Sequence, residues 1–217
     1  MATLQQFTDH FIAHLAQAGL ASDDLYNQYA PPDPNNVIRC ENLRRYLIAM
    51  HTYRPKYLLV MEAPGYRGCR LTGIPVTSRK IMLEGVPELD LFGEAQGYQP
   101  TDDPDFVHIY GEQSATIVWE TLADLDVAPL IWNTVPFHPH KAGLPCSNRR
   151  PRVSETRIGI DYLHEIITFF QPEVIIAVGN VAESTMMSAG INCVKVRHPA
   201  QGGKADFVAG LNKLISE

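Results

Sequence analysis

Polar and glycine-rich residues follow four short apolar runs of this sequence. They lie in the segments 62–66, 133–140, 179–180 and 197–203. Each preceding run is typical of a buried strand, and a parallel sheet binds its ligands where the carboxyl ends of its strands meet. The sequence therefore predicts that the chemistry of this chain resides in these four loops.

Three side chains in these loops are suited to catalysis or recognition. Glu62 could act as a base or stabilise a positive charge, because burial in a cleft raises the pKa of a carboxyl group. Asn133 presents a donor beside an acceptor, which suits the Watson–Crick edge of a base. His198 could donate a hydrogen bond to an anionic leaving group. Each residue also has a structural alternative, as a loop-capping carboxylate, a strand-end amide that satisfies nearby backbone, or a partly buried imidazole.

A metal site is the other chemistry that the sequence suggests. His138 and His140, with a third imidazole from His198, could ligate zinc. However, no carboxylate or thiolate stands at a suitable spacing, so a structural turn is favoured. The four cysteines are isolated, which indicates neither a zinc ribbon nor a disulfide framework and suits a reducing cytoplasm. They are Cys40, Cys69, Cys146 and Cys193. We expect no metal and no other cofactor.

Short buried strands alternate with amphipathic helices along most of the chain. Strands are predicted over 57–61, 129–132, 174–178 and 193–196, and helices over 3–18, from about 37 to 54, 78–84, 113–125, 154–170, from about 181, and around 207–215. This alternation predicts an α/β fold, a three-layer α/β/α sandwich with a central, mostly parallel four-stranded sheet. We expect one domain over 1–217, in which the N-terminal helices of 1–54 pack on a core formed by 55–217.

The charge of the chain is unevenly distributed. The net charge is −6, from 18 basic and 24 acidic residues, but the segment 84–126 holds 11 acidic residues and no Lys or Arg. The rest therefore has 18 basic and 13 acidic residues, a net charge of +5. The tightest basic cluster, opposed in sequence only by Glu155, is Lys141, Arg149, Arg150, Arg152 and Arg157. Such a cluster predicts a phosphate-binding face.

Nothing in the sequence indicates a membrane protein. No apolar run approaches the roughly 20 residues that span a bilayer, and the amphipathic N-terminus lacks the apolar region of a signal peptide. We expect a cytoplasmic protein without a membrane partner.

The loop motifs together resemble those of the uracil-DNA glycosylase superfamily. Glu62-Ala-Pro-Gly65 with Thr72-Gly-Ile-Pro-Val-Thr-Ser78 is similar to its first motif, and the resemblance extends in order over about 57–216. It is closest to a bacterial branch with a W-N-x-x-P-x-H-P-H stretch, an S-N-R-R-P segment and an R-H-P-x-Q-G-G loop. These stand here at 132–140, 147–151 and 197–203.

The resemblance implies a monofunctional enzyme that extrudes a deaminated base from DNA and hydrolyses its N-glycosidic bond. By this resemblance Glu62 and His198 are catalytic, and the matched loops contain no lysine for strand cleavage. The residues implied to bind the base are Ala63, Pro64, Gly65, Val76 and Asn133. Those implied to bind the DNA are Ser78, Gly179, Asn180, Arg149, Arg150, Arg197, Gln201 and Gly202. The expected partner is uracil-containing or otherwise deaminated DNA, bound by a monomer.

Three departures from the superfamily pattern keep an alternative open. Ala63 stands where the major branch has a catalytic Asp, and Val76 replaces the Phe that stacks on the base. Gly65 replaces a Tyr that excludes the 5-methyl group of thymine, so a broader substrate range is implied. The cysteines also lack the spacing of the branch that carries an iron–sulfur cluster. The alternative is a catalytically silent nucleic-acid- or nucleotide-binding protein on the same fold.

Overall fold

The N-terminal helix begins at the residue that its capping signal predicts. The computed structural model of the chain describes residues 2–20 and 22–216. Helix α1 (Leu4–Ala16) begins after Thr3, whose hydroxyl accepts from the Gln6 amide while the Gln6 side chain accepts from the Thr3 amide. This capping box satisfies two of the free amides at the helix start.

Helix α2 begins three residues earlier than the apolar periodicity predicts. It runs over Pro34–Tyr53, with the Asp33 side chain accepting from the Asn35 amide and Pro34 in the first turn. Proline is favoured at this position because its fixed φ suits the first turn and its missing amide has no helical partner there.

The central sheet is four-stranded and entirely parallel. Its strands are β2 (Tyr57–Met61), β3 (Leu130–Asn133), β5 (Val174–Val178) and β6 (Val194–Val196), in the spatial order β3-β2-β5-β6. Every residue of β2 is buried, as its continuous apolar run predicts. Helices pack with the sheet in a three-layer α/β/α arrangement, which confirms the predicted fold class.

The remaining helices lie close to their predicted positions, apart from the single turn Cys69–Thr72, where the sequence predicts no helix. They are α3 (Cys69–Thr72), α4 (Arg79–Glu84), α5 (Gln113–Asp124), α6 (Val153–Phe170), α7 (Asn180–Ser188) and α8 (Lys204–Ser216). In the part of the chain that the structure describes, no helix is long and apolar enough to cross a membrane.

A second, two-stranded sheet is not predicted by the sequence. Strand β1 (Leu25–Tyr26) pairs antiparallel with β4 (His138–Pro139). Two residues are too few for a periodic pattern, so this pairing depends on the surrounding tertiary structure. It anchors the segment that carries His138.

The N-terminal helices contact the outer strand of the sheet. The Tyr46 hydroxyl of α2 accepts from the Ile131 amide at 2.8 Å and donates to the Ile131 carbonyl at 3.4 Å. Phe11 of α1 meets Trp132 at 5.1 Å between ring centroids. The two Tyr46 hydrogen bonds satisfy backbone groups of β3 that face away from β2, at an edge that would otherwise be open.

Candidate active site

One cavity of about 620 Å³ brings most of the predicted site residues together. It opens at the carboxyl ends of β2, β5 and β6. The predicted residues that line it are Glu62, Ala63, Pro64, Gly65, Val76, Arg149, Arg150, Gly179, Asn180, Arg197, His198 and Gln201. Asn133, Ser78 and Gly202 do not belong to its lining.

Glu62 enters the cavity directly after β2 on a backbone held by the neighbouring loop. The Thr134 hydroxyl donates to the Glu62 carbonyl at 2.5 Å, and the Val135 amide donates to the same oxygen at 3.2 Å. Burial raises the pKa of the Glu62 carboxyl, and the positive charge of Arg150 opposes that shift. A carboxylate in this environment is a stronger base than an exposed one.

His198 is held in a single neutral tautomer by its own loop. The Ala200 amide donates to His198 Nδ1 at 3.1 Å, so the proton of the neutral ring resides on Nε2. Burial lowers the pKa of His198, and the nearby charge of Arg197 lowers it further. The ring therefore stays neutral near pH 7 with Nε2–H as a donor.

Two glycines allow the His198 loop to pack closely. A Cβ at Gly203 would lie 2.1 Å from the His198 carbonyl oxygen, so only glycine fits there. Gly179 has φ +88°, and a Cβ on it would lie 3.1 Å from the His198 Cβ. Gly202 has open space around it and φ +77°, so its role is to permit the turn. Glycine in this loop thus serves the packing of His198.

Asn133 is buried beside the cavity lining and is not part of it. It is 2% exposed and pairs in register with Met61, which does line the cavity. Its side-chain oxygen is buried and has no hydrogen-bond partner among the described residues. An unsatisfied buried acceptor costs about 1–3 kcal/mol, so this amide is suited to a partner that arrives with a ligand.

Val76 has an unusual backbone conformation at the cavity wall. Its φ is +50°, in the left-handed region that β-branched residues rarely adopt. The Trp119 indole N–H donates to the Val76 carbonyl at 2.7 Å and holds this turn. Strain of this kind costs on the order of 1–3 kcal/mol. Nothing in the sequence predicts it.

Ser78 does not line the cavity that most of the other predicted site residues share. The residue is fully buried, and its hydroxyl accepts from the Ile81 amide at the start of α4. A serine before a helix is a common cap, and that signal stands in the sequence as well. The hydroxyl of Ser78 is therefore occupied by the start of α4, and its contact with DNA stays a prediction.

The predicted basic face is partly neutralised. Arg149 binds the Glu155 carboxylate at 2.6 Å and the Asp24 carboxylate at 3.2 Å, and Arg152 binds the same two acids. Besides Glu155, the fold thus brings Asp24, which is distant in sequence, against the same cluster. Side-chain hydrogen bonds from Arg152 and then Ser22 hold the pKa of Asp24 well below its usual range. Arg149 thus belongs to a structural ion network, although it borders the cavity.

Arg150, by contrast, is exposed at the cavity mouth and makes no ion pair within residues 2–20 and 22–216. It and Arg197 are the arginines lining the cavity that remain available for a phosphate. Their guanidinium groups suit bidentate contact with phosphate oxygens.

His138 has a structural role in this fold. Its Nδ1–H donates to the Pro64 carbonyl at 2.8 Å and holds the loop after Glu62. Burial lowers the pKa of His138 to about 4, so the ring is neutral. Among the residues described, His138 and His140 do not share a group of three potential ligand atoms within 4.8 Å of one another.

The cavity lining also includes polar residues that the sequence analysis did not predict, among them Asn148 and Glu112. Asn148 accepts from the Tyr66 amide at 2.9 Å and so ties the S-N-R-R-P segment to the loop after Gly65. Glu112 caps α5 by accepting from the Ser114 and Ala115 amides. The S-N-R-R-P motif around Asn148 could have predicted that Asn148 belongs to the site. Glu112 lies in the acidic segment, where no motif marks it as a site residue.

Comparison with known families agrees with this arrangement. A family model described as the uracil DNA glycosylase superfamily matches residues 48–210, which is most of the chain and includes every loop of the cavity. No curated protein matches the chain. The chain belongs to the uracil DNA glycosylase superfamily.

Proposed function

We propose that the protein is a monofunctional DNA glycosylase that hydrolyses the N-glycosidic bond of uracil or a related deaminated base. One observation carries the proposal: Glu62 and His198, with pKa values shifted in opposite directions, line the same cavity. Exposed arginines border the cavity, where they can bind the phosphates of a DNA backbone. Superfamily membership supports the same class of reaction.

The proposed reaction divides the developing charges between these two residues. As the bond between the sugar C1′ and the base nitrogen breaks, its electron pair leaves with the base. His198 Nε2–H donates a hydrogen bond to the resulting anion, and Glu62 stabilises the positive sugar and accepts a proton from the attacking water. Each such contact contributes about 10²–10³-fold in rate. The departing base takes its proton from solvent.

The proposed DNA contacts surround the mouth of this cavity. Arg150, Asn180, Arg197 and Gln201 are exposed there, and the Gly179–Asn180 turn begins α7. We assign the turn and these side chains to the backbone of a DNA strand from which the base has been extruded. The loop over Pro199–Gly203 is the segment proposed to enter the duplex.

The proposed recognition of the base rests on Asn133. Its unsatisfied acceptor would receive the N3–H of uracil, and its amide would donate to the neighbouring carbonyl. Because Asn133 does not line the cavity whereas its register partner Met61 does, this role requires the base to reach past the present lining. Ala63, Pro64, Gly65 and Val76 supply the remaining walls.

A strand-cleaving side reaction is not part of the proposal. No lysine is found among the described residues that line the cavity, so no amine stands ready to form a Schiff base with the sugar.

A catalytically silent binding protein is the second candidate. The observation that favours it is the cavity wall itself, where Ala63 offers no second carboxylate and Val76 no aromatic platform. Such a protein would bind DNA at the same mouth without releasing a base.

Release of free base separates these candidates. Oligonucleotides carrying uracil, hypoxanthine, xanthine or hydroxymethyluracil are incubated with the protein and then treated with alkali to cleave abasic sites. We expect cleavage after alkali only, and a loss of at least about tenfold for Glu62→Gln with DNA binding retained, since the charge acts in the transition state. Glu173→Gln, an exposed change just before β5 at the opposite end of the strands, is the matched control. Binding without release of any of the four bases would establish the silent candidate.

A further inference from the structure

A cluster of metal-ligating side chains lies on the helical layer, apart from the cavity. His10 and His14 stand one turn apart on α1, and Glu165 faces them from α6. The Glu165 carboxylate lies 2.6 Å from His14 Nδ1 and 3.7 Å from His10 Nε2. One ligand atom from each residue lies within 4.8 Å of the other two. None of these residues takes part in the proposed glycosylase chemistry.

The spacing of the cluster suits a small transition-metal ion. Zinc bonds of about 2.0–2.1 Å in a tetrahedral site place neighbouring ligand atoms roughly 3.3 Å apart. The distance of 3.7 Å between Glu165 Oε2 and His10 Nε2 exceeds this value slightly. A small rotation of the His10 side chain, which is 73% exposed, would close the difference. A histidine pair at i and i+4 presents both imidazoles on one face of a helix.

One oxygen of Glu165 has no partner in the described part of the chain. Glu165 Oε1 meets His14 Nδ1, but Oε2 is buried and makes no hydrogen bond. A buried carboxylate oxygen without a donor is costly unless a cation satisfies it. The His10 imidazole on α1 lies 3.7 Å from it, beyond hydrogen-bond distance.

The packing around the cluster orients it in advance. The Tyr162 ring lies 4.5 Å from the His14 ring, and its hydroxyl donates to the His14 carbonyl at 3.4 Å. These contacts fix the spacing between α1 and α6 at this point. The outer side remains open, so a water molecule can complete a fourth coordination position.

We propose that His10, His14 and Glu165 bind a divalent transition-metal ion such as Zn²⁺ and thereby link α1 to α6. Imidazole and carboxylate ligands favour zinc and its neighbours in the first transition row over Mg²⁺, which prefers oxygen ligands in an octahedron. The ion takes the place of the proton shared between His14 and Glu165. Its role in this position is structural.

Zinc titration of the full chain without an affinity tag tests this proposal. The probes are Zn²⁺ in calorimetry and thermal unfolding, Co²⁺ in visible absorption, and Mg²⁺ as a competitor. All variants carry Cys146→Ser, because that cysteine is exposed and could ligate zinc by itself. The test variants are His10→Ala and Glu165→Gln, and the matched control is His164→Ala, an exposed histidine beside Glu165 that lies outside the cluster.

We expect one Zn²⁺ per chain and an unfolding temperature that rises with Zn²⁺ concentration. His10→Ala should weaken Zn²⁺ binding at least about tenfold and remove the rise in unfolding temperature, because the change is exposed and leaves the packing intact. Glu165→Gln should have the same two effects. His164→Ala should behave like the parent chain, and Mg²⁺ should not compete. The proposal would be overturned if the parent chain bound no Zn²⁺, or if His10→Ala bound Zn²⁺ as tightly as the parent. It would also be overturned if His164→Ala lost as much Zn²⁺ affinity as His10→Ala, or if Mg²⁺ displaced Zn²⁺. Base release is not used as a readout, so this test is independent of the proposed glycosylase activity.

Discussion

Replacement of Gly159 by alanine tests how the helical layer positions the catalytic loop. Gly159 lies in α6 against the backbone that follows β3. A Cβ there would lie 1.6 Å from the Thr134 carbonyl oxygen and 2.7 Å from the Thr134 carbonyl carbon. Ordinary contact begins near 3.4 Å, so the two segments would have to separate by about 1.8 Å.

The magnitude follows from the nature of the contact. Both partners are backbone, so no side chain can rotate to relieve the clash, and overpacking of this kind costs about 3 kcal/mol. Alanine regains about 1 kcal/mol of helix propensity over glycine. The net destabilisation is therefore about 2 kcal/mol, which lowers the unfolding temperature of a chain of this size by about 4–8 °C.

The same change should disturb catalysis as well as stability. The Thr134 hydroxyl holds the Glu62 carbonyl, and the Thr134 amide donates to the Met61 carbonyl at 2.8 Å. A displacement of Thr134 therefore moves the carboxylate in the cavity. Because misplacement by about 1 Å can cost 10²-fold in rate, we expect base release to fall at least about tenfold in Gly159→Ala.

Thermal unfolding and base release at a temperature where Gly159→Ala is folded are the assays. Gly210→Ala in α8 is the matched control, since the nearest atom to its Cβ would be in the Val196 side chain, at 3.2 Å. The control should keep its activity and unfold near the parental temperature. A Gly159→Ala variant with parental stability and parental activity would refute the reasoning.

Three further predictions concern the site directly. The Asn133→Asp side chain presents two acceptors, so it should repel the O4 of uracil and accept from the N4 amine of cytosine. The ratio of uracil release to cytosine release should therefore narrow or invert. Uracil release at the parental rate would show a structural role for Asn133. The rate of base release should decline as the pH falls through the pKa of Glu62, which is raised above the usual glutamate value of about 4.3. The reason is that the mechanism needs the ionised carboxylate. A Glu62→Gln variant whose pH–rate profile has the same acid limb would contradict this assignment. DNA binding should weaken with salt, and Arg150→Ala should reduce the slope of log affinity against log salt concentration by about one. Arg152→Ala should leave that slope nearly unchanged, because the charge of Arg152 is already paired. An equal effect of the two substitutions on the slope would refute the distinction between them.

The sequence alone determines the four central strands, most of the helices and the edge of the sheet at which the site lies. The run over Tyr57–Met61 is apolar throughout, so it forms a strand only where both faces are covered. The capping box at Thr3 and Gln6 sets the start of α1 through contacts three residues apart. Because all four central strands are parallel, the loops that follow them must share one edge. Local chemistry and periodicity are sufficient for each of these conclusions.

Tertiary structure decides which polar groups remain available at that edge. Ser78 and Arg149 are suitable for a phosphate by residue type, but one caps α4 and the other binds Asp24, 125 residues away in sequence. The positive φ of Val76 is likewise maintained by the indole of Trp119. A side chain can satisfy only a limited number of partners, and the partners it meets in the fold are distant in sequence. Residue type and spacing therefore predict what these groups could bind, whereas only the packed chain determines what they do bind.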